Sequence, residues 1–491
     1  MFETFSSQLT FWGLMAVLLQ IAIIIAVTLR VILTRHPPGS SFAWITITAV
    51  IPFVGFVLYL LVGERPIGQW RAKLYRQLTS LHQSKSELSQ LLPVGPLPRA
   101  LHNHESLLRL STAVAHFPMA SGSELQLLWE TDQIFSAIIS DIDQAQRTID
   151  MEFYIWQSGG KVQYVMDALK RAHQRHCRIR LLLDDFGSRE FLKSPECQSL
   201  IDLGIEIRSA MPMRLLAFLG LQRADIRLHR KNIIIDNAAG YVGSLNMIDP
   251  MAYSDSKTVG AWEDAMLRIE GPAVESQMRV FEMDWRLQSQ SSQLWVNPPM
   301  EDVYLQKGTA TTVCVPSGPY TTDHDPNLYL VLEVINHAQR SLTITTPYFV
   351  PNEPIIVALQ NAAFRGVKIK LILPEKSNSL LATYAARRHF DTLLSLGVEI
   401  LFYKERFLHT KSIVADGDYA LFGTVNMDNR SLHINFEMML LIIDSTFVRS
   451  LQALQRRYEA KSVQLQTTKW YRRPLIERLK EGFAHLLSPL L

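Results

Sequence analysis

Charge is missing from two long stretches of this 491-residue chain: no Asp, Glu, Lys or Arg occurs between Glu3 and Arg30, and none between Arg35 and Glu64. Runs of this kind exclude an ordinary solvated surface. The segments Phe11 to Leu29 and Phe42 to Val62 are each long enough to cross about 30 Å of hydrocarbon at ~1.5 Å per residue. Trp12, Trp44 and Tyr59 lie near their ends, where amphipathic rings prefer the interface. The tail ahead of the first run carries Glu3 and no Lys or Arg, and a second apolar run follows closely, so a cleaved signal peptide is the poorer explanation. Pro37, Pro38 and Gly39 mark a turn between the runs, which predicts an antiparallel hairpin of two membrane-spanning helices. Arg65, Arg71, Lys73 and Arg76 beyond the second run outnumber Arg30 and Arg35 at the turn, and this favours a multi-pass membrane protein with its large remaining part in the cytoplasm.

Cysteine is also scarce. Cys177, Cys197 and Cys314 are scattered, which excludes a disulfide framework and gives no metal-ligand spacing; no metal and no cofactor is expected. A strong charge bias is lacking too. With 49 basic against 46 acidic residues the net charge is only +3, which argues against a nucleic-acid-binding groove.

What the chain does contain is a duplication. Ala145-Gln146-Arg147-Thr148-Ile149 returns as Ala338-Gln339-Arg340-Ser341-Leu342, and Leu203-Gly204-Ile205-Glu206-Ile207 as Leu396-Gly397-Val398-Glu399-Ile400, both at an offset of 193 (338 − 145; 396 − 203). Between these marks helical patterns such as Val162 to His173 and Ile355 to Phe364 alternate with short apolar strands such as Arg178 to Leu183 and Lys368 to Leu373. The order predicts two α/β repeats packed as a pseudo-dimer within one chain. The expected layout is a membrane hairpin over 1–66, a polar and helical linker over 67–120, a first α/β domain over 121–295, and a second over 296–491 that ends in an amphipathic tail.

Each repeat closes on the pattern H-x-K-x4-D: His229, Lys231 and Asp236 in the first, His409, Lys411 and Asp416 in the second. A small-polar turn follows each, with Ser244 and Asn246 answered by Thr424 and Asn426. His and Lys two apart on an extended segment emerge on one face. One motif makes half a site; two of them surround a phosphodiester with two imidazoles and two ammonium groups. One His can attack phosphorus while the other protonates the leaving alkoxide and then deprotonates the incoming alcohol. Lys231 and Lys411, helped by Ser244, Asn246, Thr424 and Asn426, are expected to hold the phosphoryl oxygens. A neutral His also needs its second ring nitrogen oriented by an acceptor, and Asp264 and Glu437, downstream in each repeat, are the acids placed for this.

The paired motifs resemble the HKD signature of the phospholipase D superfamily. The stretches Glu152-Phe153-Tyr154-Ile155-Trp156, Thr346-Pro347-Tyr348-Phe349-Val350-Pro351, Asp428-Asn429-Arg430-Ser431 and Asn435-Phe436-Glu437, together with the amino-terminal apolar region, are similar to bacterial cardiolipin synthases over essentially the whole chain. The resemblance implies transfer of a phosphatidyl group between two phosphatidylglycerol molecules through a phosphatidyl-histidine, with His229 as nucleophile and His409 as acid and base. It implies membrane lipid as the partner, with no nucleic acid and no obligate protein partner. The double motif also resembles phospholipid hydrolases, other phosphatidyltransferases such as phosphatidylserine synthases, and nucleases. A non-catalytic scaffold is a further class, but it would be expected to have lost a motif His or Lys, and none is lost.

The repeats differ just before the catalytic His. Ile207 and His229 are 22 positions apart (229 − 207), whereas Ile400 and His409 are 9 apart (409 − 400). The extra residues include Met211, Met213, Leu215, Leu216, Phe218, Leu219 and Leu221 among Arg208, Arg214 and Arg223. The segment 211–223 is therefore expected either to dock on an anionic bilayer or to pack as a buried helix.

Overall fold

The computed structural model describes residues 2–34, 38–63, 73–74, 99–212, 223, 225–253, 256–289, 305–319 and 325–488. The chain divides into two compact units, one of 1–72 with 213–226 and one of 73–212 with 227–491. The boundary expected at 295/296 lies outside the described residues, as does nearly all of the segment 211–223. Of that segment Met211 is buried, and Arg223 is buried in an ion pair with Asp225.

In the first unit a helix runs from Phe2 to Leu33, and its part Phe11–Leu33 is long and apolar enough to cross a membrane. The second apolar run differs from its expectation. A single helix over Phe42 to Val62 does not form; the run is split into helices Pro38–Val50 and Pro52–Leu58, the latter closing in a π-turn over Tyr59–Gly63. Pro52 is the physical cause, because it supplies no N–H and its ring clashes with the preceding turn. The break is a sharp reversal and not a mild kink. The Trp44 and Tyr59 rings meet edge to face at 5.5 Å, although 15 residues of straight helix would set them roughly 22 Å apart. Gly55 makes the reversal possible: a Cβ there would stand 2.7 Å from the Thr48 Cα. Val27 and Val31 of the first helix pack with Tyr59, Trp44, Ile45 and Phe56, so the bent hairpin leans on the long helix.

Among the described residues, the second unit has nineteen strands. Those of the first repeat are β1 (Met119–Leu128), β2 (Thr148–Phe153), β3 (Arg178–Asp184), β4 (Glu206–Ala210), β5 (Lys231–Ile235), β6 (Ala239–Gly243), β7 (Trp262–Glu263) and β8 (Met266–Glu270). Those of the second are β9 (Ala310–Ser317), β10 (Ser341–Thr345), β11 (Phe349–Val350), β12 (Lys368–Pro374), β13 (Glu399–Tyr403), β14 (Phe407–Leu408), β15 (Ser412–Ala415), β16 (Tyr419–Gly423), β17 (Met427–Asp428), β18 (Glu437–Ile443) and β19 (Ser462–Gln464). Fifteen of them form one mixed sheet in the order β19-β13-β12-β10-β15-β16-β18-β9-β1-β8-β6-β5-β2-β3-β4.

The order is nearly symmetric about the β9–β1 junction, as a duplication requires. β2, β3 and β4 run parallel to one another, and β10, β12 and β13 repeat that arrangement. Helices Gly160–Gln174 and Glu353–Phe364 make the crossovers. Parallel neighbours need such covering helices, and the strands accordingly read as nearly continuous apolar runs. The expected two α/β repeats are present, but they are not separate bodies: β1 pairs with β8 of its own repeat and with β9 of the other, so the sheet passes unbroken between them.

The reversal in the first unit can be tested in native membranes with Trp44→Cys/Tyr59→Cys and a short bifunctional thiol reagent. The three natural cysteines are buried and should not compete. An intramolecular cross-link is expected; a straight second helix would give none.

Candidate active site

The two H-x-K motifs sit where the two halves of the sheet meet. Each His lies just ahead of a strand, His229 before β5 and His409 before β15, and each approach segment is fixed by the other repeat. The His229 N–H donates to the Phe436 carbonyl and the His409 N–H to the Glu263 carbonyl, both at 2.9 Å. β14, leading to His409, pairs with β7 of the first repeat, and Leu228, leading to His229, bridges to Phe436 of the second.

This exchange decides the partners of the imidazoles. His229 Nδ1 lies 2.8 Å from Glu437 Oε1, and His409 Nδ1 lies 2.7 Å from Asp264 Oδ1. The two expected orienting acids are therefore present, but crossed, each repeat supplying the carboxylate for the other repeat's histidine. An Nδ1–H donated to a carboxylate leaves the Nε2 lone pair free to meet substrate. All four side chains are buried.

The small-polar residues act one layer out. Ser244 Oγ donates to Asp264 Oδ1 at 2.6 Å, and Thr424 Oγ1 donates to Glu437 Oε2 at 2.5 Å. They were expected to bind substrate; instead they hold the carboxylates, because the turns after β6 and β16 pass beside β8 and β18. Asn246 is also engaged, its Oδ1 accepting from the Ile155 N–H at 3.3 Å. Asn426 Oδ1 is buried and has no hydrogen-bond partner among the described residues.

The motif aspartates need a larger correction. Asp236 and Asp416 were grouped with the catalytic residues, but they stand at the far ends of β5 and β15, away from the histidines. Asp236 accepts from the backbone N–H groups of Gln146, Arg147 and Thr148, each at 2.7 Å. Asp416 does the same for Gln339, Arg340 and Ser341 at 2.6 to 2.8 Å. Both adopt positive φ, 53° and 55°. They tie the duplicated Ala-Gln-Arg segment to the sheet, which explains why motif and segment recur together.

Lys231 and Lys411 are fully buried, and each folds back so that Nζ donates to the carbonyl of its own motif histidine, at 2.7 and 2.6 Å. An ammonium has three donors, so two remain for phosphoryl oxygens. Burial pulls Lys231 down to about 8 against the opposing pull of Glu437, Asp264 and Asp184. Burial, with Lys231 nearby, pulls Lys411 down as well. The histidines are affected alike. His229 is lowered to about 4 by burial, with Lys231 and Lys411 adding to the effect and Glu437 resisting it. His409 is lowered to about 3 by burial and Lys411, with Asp264 resisting. Burial alone would raise Asp264, yet His409 and Lys411 bring it below its usual value. Burial thus keeps both imidazoles neutral beside the two lysines, an arrangement suited to an anion.

Aromatic rings wall the site, and the side-chain pattern did not single them out for this role. The Trp262 ring lies 4.3 Å from His409, Phe407 lies 5.8 Å from it, and Tyr154 stands edge-on to His229 at 5.2 Å. The signal available in the sequence was adjacency: Trp262 precedes Asp264 by two, and Phe407 precedes His409 by two. Asp184 completes the support, taking the Leu228 N–H at 2.9 Å and so fixing the approach to His229.

Two histidines with two lysines, each imidazole braced across a pseudo-twofold, define a phosphodiester-transfer site of the phospholipase D type. The family description "Cardiolipin synthase, PLD-like domain" matches residues 138–285 and 331–458, and "Phospholipase_D-nuclease N-terminal" matches 22–64. The chain belongs to the cardiolipin synthase family of phospholipase D-like proteins. It is 37% identical over 474 residues to cardiolipin synthase A of Klebsiella pneumoniae (strain 342), covering 96% of each chain. It is likewise 37% identical over 473 residues to cardiolipin synthase A of Salmonella arizonae, again covering 96% of each. Among solved structures, the fold is similar to phosphatidylserine synthase of Haemophilus influenzae, with a TM-score of 0.59 at 15% identity, covering 78% of this chain and all of that one.

A bound phosphate anion offsets the two ammonium charges and so raises the histidines. Binding of a non-reacting short-chain phosphonate monoester, a monoanion in which a P–C bond replaces the scissile P–O bond, at pH 7 is expected to take up about one proton, read by calorimetry in two buffers of different ionisation heat. Binding with no proton uptake would contradict imidazoles that are neutral before binding.

Proposed function

We propose that this protein is a phosphatidyltransferase that makes cardiolipin and glycerol from two molecules of phosphatidylglycerol. The crossed His229–Glu437 and His409–Asp264 pairs, closing on two buried lysines, carry this reading. The 37% identity to proteins named cardiolipin synthase A, over 96% of the chain, supports the choice of substrate.

In the first step His229 Nε2 attacks phosphorus, a P–N bond forms and the P–O bond to the headgroup glycerol breaks. The proton on His409 Nε2, acquired with the bound anion, passes to the leaving oxygen. In the second step the now neutral His409 takes the proton of a hydroxyl on the second phosphatidylglycerol. That oxygen forms the new P–O bond and the P–N bond breaks, restoring both histidines. Lys231 and Lys411 stabilise the charge that builds on the equatorial oxygens. Glu437 and Asp264 are positioning residues, holding each ring through Nδ1 and stabilising its cationic form. Burial of both histidines favours an alcohol acceptor over bulk water.

The protein is membrane-associated, and the geometry of the first unit favours one crossing over two. Helices of 13 residues and, with the 5-residue π-turn added to the 7, 12 residues each span roughly 20 Å or less, short of the ~30 Å of hydrocarbon, and the reversal at Ile51–Pro52 returns the chain to the face it entered. A single crossing by Phe11–Leu33 followed by a re-entrant hairpin sets Arg30, Arg35, Arg65, Arg71, Lys73 and Arg76 on one face, against Glu3 alone on the other. The positive-inside rule then assigns that basic face, and the catalytic unit that follows it, to the cytoplasm.

The test is purified enzyme with phosphatidylglycerol alone. Cardiolipin and glycerol are expected in equal amounts, and His229→Ala and His409→Ala should each reduce the rate by at least about a thousandfold, with losses that do not add in the double variant. Phosphatidic acid as the main product would replace transfer with hydrolysis. Substantial turnover in either single variant would remove the two-histidine mechanism.

A further inference from the structure

In the last described helix of the catalytic unit the outer face is exposed and packs on none of the described residues. In Leu475–Leu486, the side chains of Leu475, Ile476, Leu479, Phe483 and Leu486 are between 57% and 75% exposed. At about 100° per residue these five fall within a single arc of roughly 100°, so they form one continuous stripe. Scattered exposed leucines need no explanation, but a contiguous stripe does.

The opposite side of the same helix is well fixed. Ala484 packs with Ala382 and Ala385 of helix Leu380–Ser395, and buried Glu481 is held by Arg473 at 2.9 Å. The stripe is therefore not a frayed end waiting for a place in the core. Its borders are basic: Lys480 flanks one edge and Arg478 the other, both exposed, with Lys469 and Arg472 exposed just ahead. The remaining acid, Glu477, is neutralised by Lys480 at 2.8 Å and Arg387 at 3.5 Å.

This helix is also tied to the active site. Tyr348 packs against the Val350–Ala382–Ala385–Ala484 cluster on one side and against the cluster containing Trp262 and Phe407 on the other. Trp262 and Phe407 are the rings that wall His409. Two aromatic layers, Tyr348 and then Trp262 with Phe407, thus link the inner face of the helix to the His409 imidazole.

We propose that helix Leu475–Leu486 is an interfacial docking element that lies in the surface of an anionic phospholipid bilayer and presents the active site to its lipid substrate. The apolar stripe would enter the acyl boundary by about 5–10 Å, while the flanking Arg478 and Lys480 meet lipid phosphates. A neutral apolar surface would not require the basic borders, and this favours an anionic bilayer over a second copy of the chain. The proposal rests on the lipid-transfer reading for its purpose, but its geometry is independent of the chemistry.

The experiment uses the full-length chain reconstituted into phosphatidylglycerol vesicles. A fluorophore on Phe483→Cys should be quenched at least severalfold by acyl-chain spin labels, whereas one on Glu206→Cys, exposed at the outer edge of the first repeat, should not. Leu479→Glu/Phe483→Glu should lose at least tenfold activity on vesicle substrate, with an unchanged melting temperature and unchanged activity on short-chain soluble phosphatidylglycerol. An unquenched Phe483 label, equal losses on both substrates, or a dimer in light scattering that the double variant dissolves would each overturn the docking element. Quenching without cardiolipin from either substrate would leave docking in place and remove the transfer reading.

Discussion

Everything in the catalytic unit depends on two buried hydrogen bonds that cross between the repeats, Glu437 to His229 and Asp264 to His409. A buried carboxylate is costly unless it is paired and hydrogen-bonded. Here each acid is satisfied by an imidazole from the opposite repeat and a hydroxyl from its own, Thr424 for Glu437 and Ser244 for Asp264. Separating the repeats would strand two carboxylates and two histidines at once. The unbroken sheet across β1 and β9 is the scaffold that prevents it.

The crossing also sets the electrostatics. Two lysines buried beside two neutral histidines make a site suited to an anion. Burial depresses every base, and a bound phosphate anion is expected to oppose that depression. On the proposed mechanism, substrate binding and protonation of His409 would then be one event.

Much of this was legible in the sequence. The duplication showed two equivalent repeats, and the pattern H-x-K with its downstream acids named all six groups at the centre. The crossing was not legible, because a duplication presents each His with two chemically equivalent acids and only the exchange of β7 and β14 across the junction chooses between them. Asp236 and Asp416 were misassigned because the spacing x4 carries them along a whole strand to its other end, where three backbone N–H groups wait. The second apolar run was read as straight because composition reports length and not direction, whereas Pro52 and Gly55 together let it reverse. The exposed stripe on Leu475–Leu486 could be read from the sequence only as an amphipathic tail; which of its faces is covered is a property of the packing.

The central claim is that each histidine is held by the other repeat's carboxylate, and the most direct measurement is the Nδ1–H proton resonance of the two rings in histidine-labelled protein. Glu437→Gln should remove the strongly hydrogen-bonded signal of His229 while leaving that of His409, and Asp264→Asn should do the reverse. If Glu437→Gln instead altered His409 and spared His229, the carboxylates would serve their own repeats and the crossed site would be wrong.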